Sequence, residues 1–357
     1  MAYTGINKHT DHFNTLLYTG NGSARTVTGV GFQPEFFWIK QRSATQGHLL
    51  WDVIRGGNYY LASSSTGTSA ADIGTFTAAS DGYTLNTDGA YNGNSQTYVG
   101  WNWNNAGSAT SVSASGSGNG AYNACTYRAN TTAGFSIVQF TGRNSDLSNG
   151  QESRVTHGLG VKPDFIIIKR TDSAEEWVVR ASQSPLKSDY HVELNTTDAR
   201  TGSYYVGNGD NDTTTYFVVG NSGRTNQNGG TYTAYVFANK AGYSKFGSYK
   251  GNGNVDGNFV FTGFAPAFVI GKRTDSAGGW WLSDNKRTDH FNKNDHYLLA
   301  NDNQAEATDG SFASDFLSNG FKCRADNGNF NTNGGTYVYF AIGQTMVGTN
   351  NIPTTAR

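Results

Sequence analysis

The sequence has few cysteines, few prolines and no long apolar run, and each shortage excludes a class of protein. Its 357 residues include only 2 cysteines, Cys125 and Cys323, whereas disulfide-stapled scaffolds are short and dense in cysteine. We therefore expect both cysteines to be buried as small apolar side chains. With only 5 prolines, and glycines that follow no three-residue period, a collagen-like helix is excluded. No stretch of about 18 apolar residues occurs, so the sequence predicts no membrane insertion.

Charge is also scarce and is evenly divided between the two signs. The chain has 26 lysines and arginines against 27 acidic residues, and neither sign forms a block. This pattern lacks the basic patch that nucleic-acid binding requires, so we expect no nucleic-acid partner. The first residues lack the apolar centre of a secretory signal. We accordingly expect that the protein does not leave its cell by the general secretory route.

Glycine and aromatic residues are abundant instead. Glycine supplies 46 of the 357 residues, nearly twice the average share of about 7 %. Aromatic residues make up 13 % of the chain, which provides the apolar surface that a disordered chain lacks. The composition therefore indicates a folded β protein with many turns.

One segment occurs three times and organises the rest of the chain. It reads GFQPEFFWIK at 31–40, GVKPDFIIIK at 160–169 and GFAPAFVIGK at 263–272. Each copy is followed at a similar distance by a tyrosine that closes an Asn/Gly-rich turn. The separations are 64 residues from Pro34 to Tyr98, 69 from Pro163 to Tyr232 and 71 from Pro266 to Tyr337. Two landmarks at a nearly constant spacing indicate one structural plan used three times.

The repeat predicts an all-β fold of three tandem antiparallel β-sandwich modules of jelly-roll-like type. Short strands of alternating or fully apolar pattern, separated by Asn-Gly and Gly-Gly turns, are typical of such sandwiches. A Gly/Ser-rich linker separates the first two modules, and we expect it to be either a flexible connector or an extended strap packed on a neighbour. The predicted parts are an N-terminal arm at 1–12, modules at 13–104, 121–240 and 241–345, the linker at 105–120 and a C-terminal tail at 346–357.

The sequence does not predict a reaction. Lysine, arginine, aspartate and serine cluster at 169–173 and 272–276, with a related run at 40–44, and such residue types could serve nucleophilic catalysis. They recur at the end of the same strand in every module, which favours a framework role for exposed charges and turns. No pair of acids stands out for glycoside hydrolysis, and the seven histidines form no zinc pattern. We predict no catalytic residue, no metal and no cofactor.

Tryptophan supplies the candidate binding surface. Two tryptophans stand two residues apart in one strand and so share a face, and two others follow the third signature segment, as Trp51 and Trp177 follow the first two. Tryptophan on a rigid sheet suits sugar stacking and protein interfaces, although the same residues could fill the sandwich cores. The candidate surface consists of Trp101, Trp103, Trp280 and Trp281.

The order of motifs resembles a family of virion structural proteins from marine and cyanobacterial tailed phages. The resemblance runs from Phe13 to Arg357 and rests on FNTLLYTGNG, HGLGVKPDFIIIKR, YSKFGSYKGNG, DNKRTDHFN and the final IPTTAR. Members of that family are labelled tail-fibre or tail proteins, or carry a domain of unknown function. The family assigns no catalytic residues, so none are transferred to this chain.

The resemblance implies a non-enzymatic protein of the virion, assembled in the host cytoplasm. Its partners would be other virion proteins and a glycan or protein of the host surface. We expect a tail-fibre or appendage protein that attaches to host glycan, and a homo-oligomer, with a trimer favoured. Two alternatives stay open, namely a capsid decoration protein and a glycan depolymerase.

Overall fold

The computed structural model describes residues 5–6, 8–71, 76–105, 107–203, 206–288 and 292–344. Strands dominate this part of the chain, and helical structure is confined to single turns at Gly89–Asn92 (α1) and Gly223–Asn226 (α2) and to short 3-10 segments at His9–Asp11, Asn144–Asp146 and Gly209–Asn211. Every ladder between two of the strands given below is antiparallel. The predicted all-β, antiparallel class is therefore confirmed.

The first repeat builds two sheets and a small ribbon. One sheet has the strand order β1-β9-β3-β4, the second has the order β2-β8-β7, and β5 pairs with β6. The strands are β1 (Phe13–Thr19), β2 (Arg25–Thr28), β3 (Phe36–Gln41), β4 (Leu49–Asp52), β5 (Tyr59–Tyr60), β6 (Ala70–Ala71), β7 (Thr77–Ala79), β8 (Gly82–Leu85) and β9 (Thr97–Trp103).

The second repeat uses the same order with additional strands at both edges. Its large sheet runs β10-β11-β12-β19-β14-β15-β16-β17, and β13 pairs with β18 in the smaller one. The strands are β10 (Thr110–Val112), β11 (Cys125–Asn130), β12 (Phe135–Thr141), β13 (Ser153–Thr156), β14 (Phe165–Arg170), β15 (Val178–Ala181), β16 (Tyr190–Glu193), β17 (Thr201–Gly202), β18 (Tyr216–Val219) and β19 (Thr231–Phe237).

The third repeat again places its last strand between its first strand and its signature strand. The larger sheet runs β20-β27-β22-β23-β24 and the smaller one β21-β26-β25. The strands are β20 (Ser244–Lys250), β21 (Phe259–Phe261), β22 (Pro266–Arg273), β23 (Trp280–Asp284), β24 (Leu298–Leu299), β25 (Ser314–Leu317), β26 (Gly320–Cys323) and β27 (Thr336–Gly343). The three copies of the repeated segment are the signature strands β3, β14 and β22.

Each signature strand is buried on both faces because it separates two cores. Side chains alternate between the faces of a strand. In β3, Phe36 and Trp38 belong to a core shared by all three repeats, whereas Phe37 and Ile39 belong to a core within the first repeat. The corresponding positions of β14 and β22 divide in the same way. The apolar runs therefore reflect burial on two sides, as expected for inner strands.

The repeats close into a ring around the shared core. Each repeat donates a backbone N–H, just after its signature strand, to a carbonyl of one neighbour, and its own equivalent carbonyl accepts from the other neighbour. The bonds run from Gln46 to Asn303 (2.8 Å), from Glu175 to Thr66 (3.1 Å) and from Gly278 to Thr197 (2.7 Å). The first repeat thus binds the third, the second binds the first and the third binds the second.

The linker and the described part of the arm are tied to the repeats. Within the 105–120 segment, β10 pairs with β11 and Ser115 bridges Tyr122, so the segment is a strap and not a flexible connector. In the predicted arm, the described side chains of Ile6 and His9 are buried, and Ile6 joins the shared core. The predicted tail at 346–357 lies outside the described residues. Both cysteines are buried and unpaired, as predicted.

Candidate functional site

The lysines of the repeated charged runs are buried, which corrects the prediction of exposed charges at a strand end. Lys169 donates to the carbonyl of Thr66 at 3.0 Å, and Lys272 donates to that of Thr197 at 2.8 Å. Both acceptors belong to the neighbouring repeat. The lysines follow the alternation of the signature strand and therefore point towards the shared side of the sheet. The three buried lysines are Lys40, Lys169 and Lys272.

Desolvation lowers the pKa of each of these three lysines to about 8. A lowered lysine pKa can mark a catalytic base or a Schiff-base lysine. Here the Nζ atoms of Lys169 and Lys272 are already bonded to backbone carbonyls of two segments each, because Lys169 also reaches its neighbour Arg170 and Lys272 also reaches Gly278. These ammonium groups connect repeats, and their geometry offers no approach to a substrate.

The predicted tryptophan surface is wrong, because all four of its residues are buried. Trp101 donates from Nε1 to Oδ2 of Asp284 at 3.0 Å, across the joint between the first and third repeats. Trp280 donates to the carbonyl of Glu193 in the second repeat at 2.7 Å. Trp103 lies in the shared core and Trp281 in the core of the third repeat. Strand spacing put each pair near a sheet, but it could not show which sheet faces were covered by another repeat.

His48 occupies the place that Trp177 and Trp280 occupy in the other repeats. The pairing of Ile39 with Leu49 puts His48 there. The prediction that Trp51 is the equivalent of Trp177 and Trp280 was therefore also wrong. The Nδ1 atom of His48 accepts from Nε1 of Trp38 at 2.7 Å, and its Nε2 donates to the carbonyl of Leu299 in the third repeat at 2.9 Å. Burial is the main cause that lowers the pKa of His48 to about 3. The histidine is therefore neutral and joins two repeats.

Two of the three joints also contain a buried ion pair. Asp52 binds Arg55 at 2.6 Å and accepts from the hydroxyl of Tyr235 in the second repeat at 2.9 Å. Asp284 binds Arg287 at 2.6 Å in the same i, i+3 arrangement. Each of these two acids has an arginine and a neighbouring repeat's side chain as partners. They hold the joints together and are not free for catalysis.

A polar cavity of about 430 Å³ opens in the second repeat beside β16 and α2. We call it the β16 cavity. Among the described residues that line it, one is an arginine, one is a histidine and none carries a carboxylate, and hydroxyl and amide groups supply most of the remainder. Arg224 is held by an ion pair with Glu193. The polar residues that line the cavity are His191, Thr201, Ser203, Asn221, Ser222 and Arg224.

His191 is the unusual group of the β16 cavity. Its side chain is 98 % buried and neither ring nitrogen makes a hydrogen bond of normal geometry. Burial, then the positive charges of Arg224 and Arg180, lower the pKa of His191 to about 4, and a backbone group of Asp189 opposes this only partly. The imidazole is therefore neutral near pH 7 and lies in a region of positive potential. Sequence analysis missed this residue, because an isolated histidine carries no motif.

A second cavity, of about 330 Å³, lies on the same repeat around Arg154. The guanidinium of Arg154 stacks on the ring of Tyr216, with 4.7 Å from its central carbon to the ring centre. Glu152 is the carboxylate in the lining, and it accepts hydrogen bonds from Asn208 and Asn211. A single, bonded acid does not provide the pair of carboxylates that glycoside hydrolysis commonly uses.

Neither a metal-binding group of side chains nor a membrane-spanning helix occurs among the described residues. No group of three or more histidine, cysteine or acidic side chains there could hold a metal ion. No helix in that part of the chain is long and apolar enough to cross a bilayer.

The chain was compared with protein families, curated proteins and solved structures. A family described as a domain of unknown function, DUF7483, matches residues 8–345. No curated protein and no solved structure matches the chain.

Proposed function

Because this chain belongs to the DUF7483 family, whose description gives no activity, we propose from its architecture that it is a non-enzymatic structural protein of a tailed-phage particle. Its place in this proposal is a tail fibre or appendage that contacts glycan on the host surface. The virion setting comes from the resemblance of the motif order to phage structural proteins. The architecture supports the non-enzymatic part.

The observation that carries the proposal is the use of reactive side chains as joints. Buried lysines, histidine, tryptophans and acids recur at the three contacts between repeats, and they bind groups of the neighbouring repeat. A protein organised for catalysis keeps such groups available to a substrate. A ring that uses them internally is held together by these side chains, which suits a structural module.

Locating the protein on the particle tests this proposal. Purified virions are imaged by cryo-electron microscopy with a labelled antibody against this chain, and its copy number is measured relative to the major capsid protein. We expect label on the tail appendage, few copies per capsid protein, and inhibition of host adsorption by the antibody. Label spread over the shell at a copy number comparable with the capsid protein would support a decoration protein instead. Absence from the virion would contradict the proposal altogether.

The purified chain incubated with host polysaccharide tests the non-enzymatic part. We expect no release of reducing ends above that of a heat-denatured sample. Sustained release would support the depolymerase alternative.

We also propose a homo-oligomer, most readily a trimer, since appendages are commonly symmetric assemblies. Light scattering at micromolar concentration measures this directly. A monomeric mass would contradict the oligomer and leave the ring of three repeats as the complete unit.

A further inference from the structure

The three repeats serve as internal controls for one another, and one position on the strand after the signature strand carries a charged side chain in the second repeat and an uncharged one in the other two. The ladders pair Leu50 with Trp38, Val179 with Ile167 and Leu282 with Ile270. The next residue along each strand is thus structurally equivalent. These residues are Trp51, Arg180 and Ser283. The tryptophan lies in the core of the first repeat, whereas Arg180 places a buried guanidinium at that position.

A second position differs in the same way on the following strand. The equivalent leucine and valine residues of the previous paragraph pair with Leu61, Val192 and Leu298 on this strand. The residues that precede these three are therefore equivalent too. They are Tyr60, His191 and Tyr297. Tyr60 packs against the core of the first repeat, and the ring of Tyr297 lies 4.5 Å from that of Phe312. Only the second repeat has a non-tyrosine residue here, and that residue is His191.

A third position precedes the buried asparagine of each Asn/Gly-rich turn. Tyr91 lies 4.3 Å from Phe76 between ring centres, and Phe330 lies 5.0 Å from Trp281. The equivalent residue in the second repeat is Thr225, which is fully buried. At the second and third positions, therefore, the aromatic residue of both other repeats is replaced by a polar side chain in the second. At the first position, Arg180 stands where the first repeat has a tryptophan and the third has a serine.

These substitutions leave polar atoms without partners. Among the described residues, buried atoms that lack a hydrogen-bond partner include Nε and Nη1 of Arg180, both ring nitrogens of His191 and Oγ1 of Thr225. Leaving such an atom unpaired is unfavourable, because its lost hydration is not replaced. Aromatic residues fit the positions of His191 and Thr225 in both other repeats, and the position of Arg180 in the first repeat. A cost that an available apolar solution would remove indicates a site kept for binding.

The lining chemistry narrows the ligand. Arg224 contributes a guanidinium whose acidic partner, Glu193, lies outside the lining, and none of the described lining residues is acidic, which favours an anion over a cation. A volume of about 430 Å³ exceeds the needs of a small inorganic ion and falls within the range of small-molecule sites. Thr201 and Ser203 add hydroxyl groups of the kind that hydrogen-bond sugar hydroxyls.

We propose that the β16 cavity binds an acidic sugar unit of a surface glycan, with its carboxylate recognised by Arg224 and its hydroxyls by His191 and the serine and threonine side chains. The source of the sugar rests on the proposed attachment function. The existence of the binding site does not rest on that function, because it is inferred from the unpaired buried groups of the structure.

Calorimetric titration of the full chain at pH 7 tests the site with glucuronate, with glucose, which lacks the carboxylate, and with inorganic phosphate. We expect saturable binding of glucuronate, at least about ten-fold weaker binding of glucose, and no competition by phosphate at equal concentration. No saturation by glucuronate would overturn the proposal. Equal binding of phosphate would overturn the assignment of a sugar.

Two variants locate the binding. His191→Tyr installs the tyrosine that the other two repeats have at this position. Ser203→Leu narrows the cavity and leaves the buried groups of Arg180, His191 and Thr225 unchanged. We expect each to weaken glucuronate binding at least about ten-fold, while His191→Tyr keeps or raises the melting temperature. Asn119→Ala, in the lining of the Arg154 cavity, is the matched control and should bind as the native chain does. Unchanged affinity in both cavity variants would exclude this site.

The outcomes separate this inference from the proposed function. Glucuronate binding by a protein that is absent from the virion would leave the site standing and remove the attachment role. An appendage location without glucuronate binding would support the attachment role and remove the proposed binding site.

Discussion

Single residues in this protein change role according to which side of a strand they occupy. His48 and His191 are both buried and neutral, yet His48 has a hydrogen-bond partner on each ring nitrogen, whereas neither ring nitrogen of His191 makes a hydrogen bond of normal geometry. The first connects repeats, and the second borders a cavity. Burial alone therefore does not distinguish a structural histidine from a binding one, and the inventory of partners does.

The buried histidines make the fold sensitive to acid. Burial is the main cause that lowers the pKa of His48 to about 3 and those of His157 and His191 to about 4, against an ordinary value of 6.5. Between pH 4 and pH 6.5 the unfolded chain therefore binds protons that the folded chain does not. Stability falls as pH falls through this window, by up to about 1.4 kcal/mol per pH unit for each histidine.

Urea unfolding at several values between pH 7 and pH 5 measures this loss, above the range in which most carboxylates titrate. We expect His48→Gln to be less stable at pH 7, because it disturbs the joint, but to show a shallower pH dependence. A free energy of unfolding that stays constant from pH 7 to pH 5 would contradict neutral buried histidines.

At the scale of elements, the joint between neighbouring repeats admits two chemical solutions. Tyr235 meets Asp52, and Trp101 meets Asp284, each beside a buried arginine. The equivalent positions of the remaining joint are Ala181 and Phe340, both in the shared core, and need no ion pair. The same contact between repeats is thus made by polar side chains in two joints and by apolar side chains in the third.

Removing one member of a buried ion pair leaves the other charge with less compensation. We expect Asp284→Ala to destabilise the protein by up to about 3–5 kcal/mol, because Arg287 stays buried and is left with one acidic partner, Glu306 at 2.8 Å. The double variant Asp284→Ala with Arg287→Met should recover much of this loss, since it removes both charges. Chemical denaturation measures both values. A double variant that is less stable than the single one would show that the pair itself, and not the unpaired charge, dominates.

At the scale of the whole molecule, the shared core makes the repeats interdependent. Detaching the first repeat would expose the apolar rings that it contributes, and each buried ring is worth roughly 1.5–3 kcal/mol. These rings are Phe13, Phe36, Trp38, Trp101 and Trp103. Their sum is comparable with the entire stability of a typical domain, about 5–15 kcal/mol.

We expect the chain to unfold in one transition that tryptophan fluorescence and far-UV circular dichroism report at the same denaturant concentration. For the same reason, the isolated fragment 13–104 should lack a cooperative transition. Three separable transitions, or a fragment that folds by itself, would show that the repeats are independent units.

Much of the architecture was predictable from residues. The triple segment and its spacing to a tyrosine indicated one plan used three times, and the apolar signature strands indicated burial on two sides. The lysine at the end of each signature strand was visible too, but its burial was not. Whether a strand end faces solvent depends on what packs against it, and that partner lies roughly a hundred residues away in sequence.

The sequence by itself determined the all-β class and the register of side chains on each strand, because strand propensity and the alternation of faces are local properties. Only the tertiary structure decided which faces are covered. It placed Trp101, Trp103, Trp280 and Trp281 in cores and turned the charged runs into joints. It also revealed the β16 cavity, because a missing aromatic filler becomes visible only when the three repeats are superposed by their ladders. Closure of the ring brings distant strands together, and long-range contacts of this kind leave no periodic signal in the chain.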